Sequence, residues 1–124
     1  MEKFASSRIQ FISHNGKQIL FIDLSNCSAT EVERIVRAVP EYIITLPRAS
    51  VLIRSDFTGA SLSKEAILAM KESAVFDKPY VKKSAWVGAD SLPEEYQKGI
   101  RSFSRREFPR FKNRQEALDW LAKD

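Results

Sequence analysis

Along the first quarter of the chain, short apolar runs flank a turn dipeptide. Arg8 to Ser13 and Lys17 to Leu24 read as two strands joined at Asn15-Gly16, which supplies the positive φ values that a tight hairpin needs. His14 beside this turn reads as a turn residue, not as a metal or catalytic group. After Cys27 the period changes. Ser28 and Glu31 have capping-box spacing, and Val32, Ile35, Val36 and Val39 then form a helical apolar stripe. Pro40 predicts a break or kink, and Pro47 closes the segment.

Ser50 to Arg54 reads as a short strand left through the turn Asp56-Phe57-Thr58-Gly59. A second helix is expected from about Ser63 to Phe76, burying Ile67, Leu68, Met70, Ala74 and Val75 and ending at Asp77-Lys78-Pro79. Val81 to Gly88 is the next strand. Its alternation puts Val81, Lys83, Ala85 and Val87 on one face and Lys82, Ser84 and Trp86 on the other. Ser91 and Glu94 suggest another capping box, opening a third helix with Leu92, Tyr96, Ile100 and Phe103 on one face. Arg106 to Phe111 reads as a final strand, held to the sheet edge by Pro109. Asn113 and Glu116 then cap a last helix that buries Ala117, Leu118 and Leu121, with Trp120 packing across its margin.

The order ββαβαβαβα predicts an α/β fold: a mixed, mostly parallel five-stranded sheet with four helices and right-handed crossovers. Only the first strand is expected to run antiparallel. No repeat or low-complexity linker interrupts the pattern, so residues 1–124 read as one domain.

Composition narrows the class. The chain is 44% hydrophobic and 29% charged, a globular balance. No apolar stretch is long enough to span a bilayer, the start lacks a signal-peptide core, and the single Cys27 cannot build a disulfide framework; a cytoplasmic location is expected. The net charge of +4 is uneven. Lys98, Arg101, Arg105, Arg106, Arg110, Lys112 and Arg114 are opposed only by Glu107 and interleaved with Phe103, Phe108 and Phe111. Such a mixture suits nucleic acid, but core phenylalanines with a solvated basic rim are the favoured reading, since the overall charge is modest.

The stretch Lys78-Pro79-Tyr80-Val81-Lys82-Lys83-Ser84-Ala85-Trp86-Val87-Gly88 resembles a signature of STAS-like proteins of the SpoIIAA-like group. So do the closing Phe103-Ser104-Arg105, Phe111 and Glu116-Ala117-Leu118-Asp119-Trp120-Leu121, and the turn Asp56 to Gly59. The resemblance runs from about Ile9 to Leu121. It implies a strand–helix superhelix with strands in sequential order and helices mainly on one face. Relatives include anti-sigma-factor antagonists, which bind a protein partner and are switched by phosphorylation; distantly similar lipid-transfer domains bind apolar ligands. Matched onto this chain, the phosphorylated hydroxyl falls on Thr58 ahead of Gly59. Two departures stand: Phe57 replaces the first of the paired serines, and Ala60 to Ser63 separate Gly59 from the helix.

The candidate partner- or ligand-binding residues are Asp56, Thr58, Gly59, Tyr80, Lys82 and Trp86, with Thr58 also the candidate phosphorylation site. Asp56 and Thr58 belong to connections expected at the carboxyl edge of the sheet, where open parallel sheets bind ligands. Asp and Thr are also ordinary turn formers. Lys78, Tyr80 and Lys82 suggest an anion grip, against the plainer reading of solvated lysines. Trp86 is expected opposite a helix-covered face, to be buried by self-association, by an apolar ligand, or by a further element of the chain itself.

Catalytic chemistry finds no support in the motifs: there is no nucleophile elbow and no glycine-rich phosphate loop. One His and one Cys make a poor zinc set, so no metal or cofactor is expected, and a Cys27–His14 dyad has nothing to recommend it. The expected function is therefore a non-enzymatic binding or regulatory module acting through a protein partner, with homodimerisation one form of this. The alternative is a carrier or sensor of an apolar, lipid-like small molecule. Nucleic acid is the least favoured partner, and no membrane span is expected.

Overall fold

A computed structural model describes residues 7–123. Five strands form one sheet in sequential order: β1 (Ile9–His14), β2 (Lys17–Asp23), β3 (Val51–Asp56), β4 (Val81–Val87) and β5 (Arg110–Phe111). β1 pairs antiparallel with β2, and every later pair is parallel. The hairpin turns at Asn15 and Gly16 with φ of 50° and 77°, the left-handed pair its sequence demands.

The helices are α1 (Ala29–Ala38), the single turn α2 (Pro40–Ile43), α3 (Lys64–Asp77), α4 (Glu94–Ser104) and α5 (Arg114–Ala122). The Ser28–Glu31 capping box is formed in full, and Val32, Ile35, Val36 and Val39 are all buried. Pro40 does divide the segment into α1 and α2. Ser63 and Asn113 cap α3 and α5. Among the described residues no helix is long and apolar enough to cross a membrane.

Two cores lie on opposite faces of the sheet. The larger holds Leu20, Ile22, Ile53, Phe57 and Trp86 under α1, α3 and α4. The smaller packs Ile19, Leu52, Ala85 and Val87 against Ala117 and Leu121 of α5. Both faces are thus covered within one chain, which overturns the expectation of an open face at Trp86. That residue is 3% exposed. Its ring stacks on Phe108 at 4.5 Å and meets Phe57 edge-on at 5.2 Å. The alternation of β4 was sound at this point; it could not say which face received the three-helix layer.

Other expectations need correcting. Leu68, Val75 and Phe103 are exposed rather than core. The pairing of β3 with β4 slips between Val51 and Leu52, whose partners are Val81 and Lys83. This leaves Lys82 as a bulge, and Val81 turns to the larger core instead of following strict alternation. β5 is only two residues long, since Arg106 to Pro109 approach the sheet as irregular chain and only Pro109 offers its carbonyl, to Trp86 N–H at 2.9 Å. No capping box opens α4: Pro93 is its N-cap, and Ser91 ends a short 3-10 turn, Ala89–Ser91. The buried Gln97 instead donates to the carbonyls of Ala89 and Leu92 at 3.1 and 2.9 Å, tying this turn down.

Candidate functional site

The carboxyl ends of β2, β3 and β4 carry three loops, and backbone bonds sew them together. Leu24 N–H donates to Asp56 O at 2.9 Å, Asn26 N–H to Thr58 O at 2.8 Å, and Phe57 N–H to Val87 O at 2.8 Å. Gly59 N–H donates to Ser91 Oγ at 3.0 Å. Gly59 and Gly88 have φ of 71° and 69°. A side chain on Gly59 would collide with Asn26, and one on Gly88 with Thr58, whose backbone nitrogen would lie 2.6 Å away. Conformation favours glycine at both places, and at Gly88 the Thr58 backbone leaves no room for a side chain as well.

Within this frame Asp56 is buried, and both its oxygens are occupied. Oδ1 accepts from Thr58 N–H at 2.9 Å and Thr58 Oγ1 at 2.7 Å, while Oδ2 accepts from Arg114 Nε at 2.6 Å. Burial pushes its pKa up, but the Thr58 hydroxyl and amide and the Arg114 guanidinium outweigh burial and hold it below the ordinary value. Arg114 also lies 4.6 Å above the Phe21 ring, and Arg54 lies 4.1 Å from the same ring. Asp56 is therefore a brace. Thr58 and Gly59 are exposed at the tip it supports. Thr58 stands five residues ahead of the N-cap Ser63, so it is not part of the first turn of α3.

The structure brings Asp56, Thr58 and Gly59 together and leaves the other candidates elsewhere. Tyr80 and Lys82 lie at the opposite end of β4, whose seven residues span roughly 23 Å. Tyr80 stacks on Phe76 at 6.1 Å. Lys82 is exposed, whereas Lys78 Nζ donates to Arg105 O at 3.1 Å and Ser104 O at 3.4 Å, capping α4. Lys78, Tyr80 and Lys82 thus do not converge as an anion grip would require. Trp86 is internal.

The basic segment is largely spent on internal contacts. Arg101 and Arg110 lie 3.5 and 3.7 Å from Glu94, Arg110 Nη1 donates to Gln97 Oε1 at 3.1 Å, and Arg106 Nη1 donates to Ala74 O at 3.0 Å. His14 pairs with Asp119 at 3.0 Å, not with Cys27. Burial pushes the Cys27 thiol up, the wrong direction for a nucleophile. Among the described residues no three His, Cys, Asp or Glu side chains cluster as a metal site would require.

One feature escaped the sequence. Between the sheet and α1, α3 and α4 lies a cavity of about 60 Å³, walled by Phe57, Trp86, Phe108, Ile53 and Met70 and reached by Asp77 and Arg106. Asp77 is buried, and Ser73 Oγ donates to its Oδ2 at 2.9 Å. Burial raises its pKa to about 6, although Ser73 and the charge of Arg106 pull the other way. Its only sequence signal was an acidic residue in the last turn of a helix, where the dipole disfavours it.

No family model matches the chain, and no curated protein matches it. Among solved structures it is similar to the crystal structure of an uncharacterized protein from the DUF3478 family with a SpoIIAA-like fold, from Shewanella loihica PV-4. The identity is 19%, the match covers 92% of each chain, and the TM-score is 0.70. With its sequentially ordered mixed sheet and its strand–helix alternation, this chain has the SpoIIAA-like α/β fold.

Proposed function

We propose that this chain is a non-enzymatic binding module of the STAS-like type that engages a protein partner through the loops at the carboxyl edge of its sheet. The observation that carries this reading is the Asp56–Gly59 loop, where an exposed Thr58 is held by a buried carboxylate and cross-braced to the two neighbouring loops. A surface fixed in advance loses little entropy when a partner docks. Phosphate on Thr58 would add nearly two negative charges beside the Asp56 carboxylate and would consume the hydroxyl that bonds to it. Modification would thus loosen the loop and weaken docking. The test is partner capture by wild type, Thr58→Ala and Thr58→Asp. Retention by the first two with loss from the third is expected; equal retention by all three would remove the switch.

Self-association through a bare sheet face forms no part of this proposal, because α1, α3 and α4 cover the Trp86 face and α5 covers the other. The occupied oxygens of Asp56, the raised Cys27 thiol and the His14–Asp119 pair support the non-enzymatic reading. A cytoplasmic location belongs to the same proposal, supported by the single, unpaired Cys27.

The sheet–helix cavity favours a second reading, a carrier or sensor of an apolar small molecule. Native mass spectrometry of the purified protein tests it: a retained molecule supports the carrier, and mass equal to the bare chain opposes it.

A further inference from the structure

The cavity under Trp86 is not uniformly apolar. Asp77 is 4% exposed, Ser73 satisfies one of its oxygens, and Oδ1 has no hydrogen-bond partner among the described residues. A buried carboxylate oxygen without a donor is costly, and native structures rarely leave one so. Arg106 lines the same cavity yet acts on Asp77 through its charge, without a hydrogen bond. Its guanidinium gives one N–H to Ala74 O and lies 4.7 Å above the Phe108 ring. The wall therefore presents an acceptor and a donor group of opposite charge amid aromatic and aliphatic side chains.

We propose that this cavity binds a small uncharged apolar alcohol, whose hydroxyl donates to Asp77 Oδ1 and accepts from Arg106 while its carbon body packs against Phe57, Trp86 and Phe108. This deepens the small-molecule reading and rests on it. Three arguments select the class. Asp77 and Arg106 offset each other, so a charged ligand would carry an uncompensated ion among apolar walls. A hydroxyl both donates and accepts, matching the two groups at once. One water fills about 10–15 Å³ of such space, so the cavity has room for roughly five, which suits a chain of about four carbons and excludes a bulky ring system. Ser84 and Arg106 line both this cavity and an open groove on the surface.

The test uses two isomers of equal size, n-butanol and diethyl ether, titrated into the intact protein while the NMR signals of the Trp86 indole and Met70 methyl are followed. Butanol can donate to Asp77; the ether cannot. Saturable shifts with butanol are expected, with ether weaker by about tenfold or more. In Asp77→Asn, whose amide can donate to an ether oxygen, the preference narrows. Equal affinity of the isomers for wild type would overturn recognition by Asp77 while leaving an apolar carrier intact. No shift with either isomer up to about 100 mM would overturn the proposal and mean a cavity filled by water alone. Native mass spectrometry decides the carrier reading separately. Should Asp77→Asn not fold, the wild-type comparison still decides.

Discussion

Asp56 and Asp77 are equally hidden, at 3% and 4% exposure, and their carboxyls are driven in opposite directions. The difference is the number of donors. Asp56 receives the Thr58 amide and hydroxyl and the Arg114 guanidinium, whereas Asp77 receives one serine. Because the folded pKa of Asp77, about 6, exceeds its unfolded value, its contribution to stability is fully present below pH 4 or so and is lost as pH rises through about 6. A shift of about two units corresponds to roughly 3 kcal/mol. Urea denaturation of wild type and Asp77→Asn between those limits should diverge by about that amount, with Asp77→Asn gaining on wild type as pH rises; parallel curves would count against it. Asp56 works in the other sense, stabilising above its unfolded pKa and losing this as pH falls. At Thr58 a carboxylate in place of the hydroxyl should set like charges together, so Thr58→Asp should be less stable than Thr58→Ala by about 1 kcal/mol or more in the same assay. Asp56 and Thr58 were legible in the sequence because a turn announces itself locally. Asp77 was not, since Arg106 and the apolar cavity wall come to it only through the fold.

Helix caps show how far local chemistry extends. Ser28 and Glu31 complete their box, Ser28 N–H donating to Glu31 Oε1 at 2.8 Å and Glu31 N–H to Ser28 Oγ at 3.2 Å. Ser91 and Glu94 have the same spacing, yet Ser91 Oγ is claimed by Gly59 N–H, and Glu94 lies near Arg101 and Arg110. Ser28→Ala should therefore cost about 1 kcal/mol through loss of α1 capping. Ser91→Ala should leave α4 intact and increase amide exchange at Gly59, which hydrogen-exchange mass spectrometry can read. Gly88 offers a similar contrast with Gly16. Both have positive φ, but a Cβ at Gly16 meets nothing within 4 Å, whereas at Gly88 it meets Thr58. Gly88→Ala should be the more destabilising in thermal denaturation, by over about 1 kcal/mol. The exposed Leu68 and Val75 make a related point: α3 is apolar on more than one side, and only the positions of α1 and α4 decide which side is buried.

For the molecule as a whole, the decisive finding is that α5 crosses beneath the sheet while α1, α3 and α4 lie above it. Trp86 is a core residue, so Trp86→Ala should destabilise by about 3–5 kcal/mol, as removal of a buried aromatic ring does. Light scattering should give the same mass for the variant as for wild type; a fall in mass would restore an interface at this residue. The sequence alone determined the order of elements, the hairpin turn, the antiparallel first pair and the parallel remainder, because periodicity, turn residues and the handedness of crossovers act locally or as general rules. Tertiary structure decided which face of β4 received the larger helix layer, where β5 began, and which polar side chains met in the interior. Alternation divides a strand into two faces without labelling them, and the charge and burial around Asp77 come from elements such as the one carrying Arg106, distant in sequence.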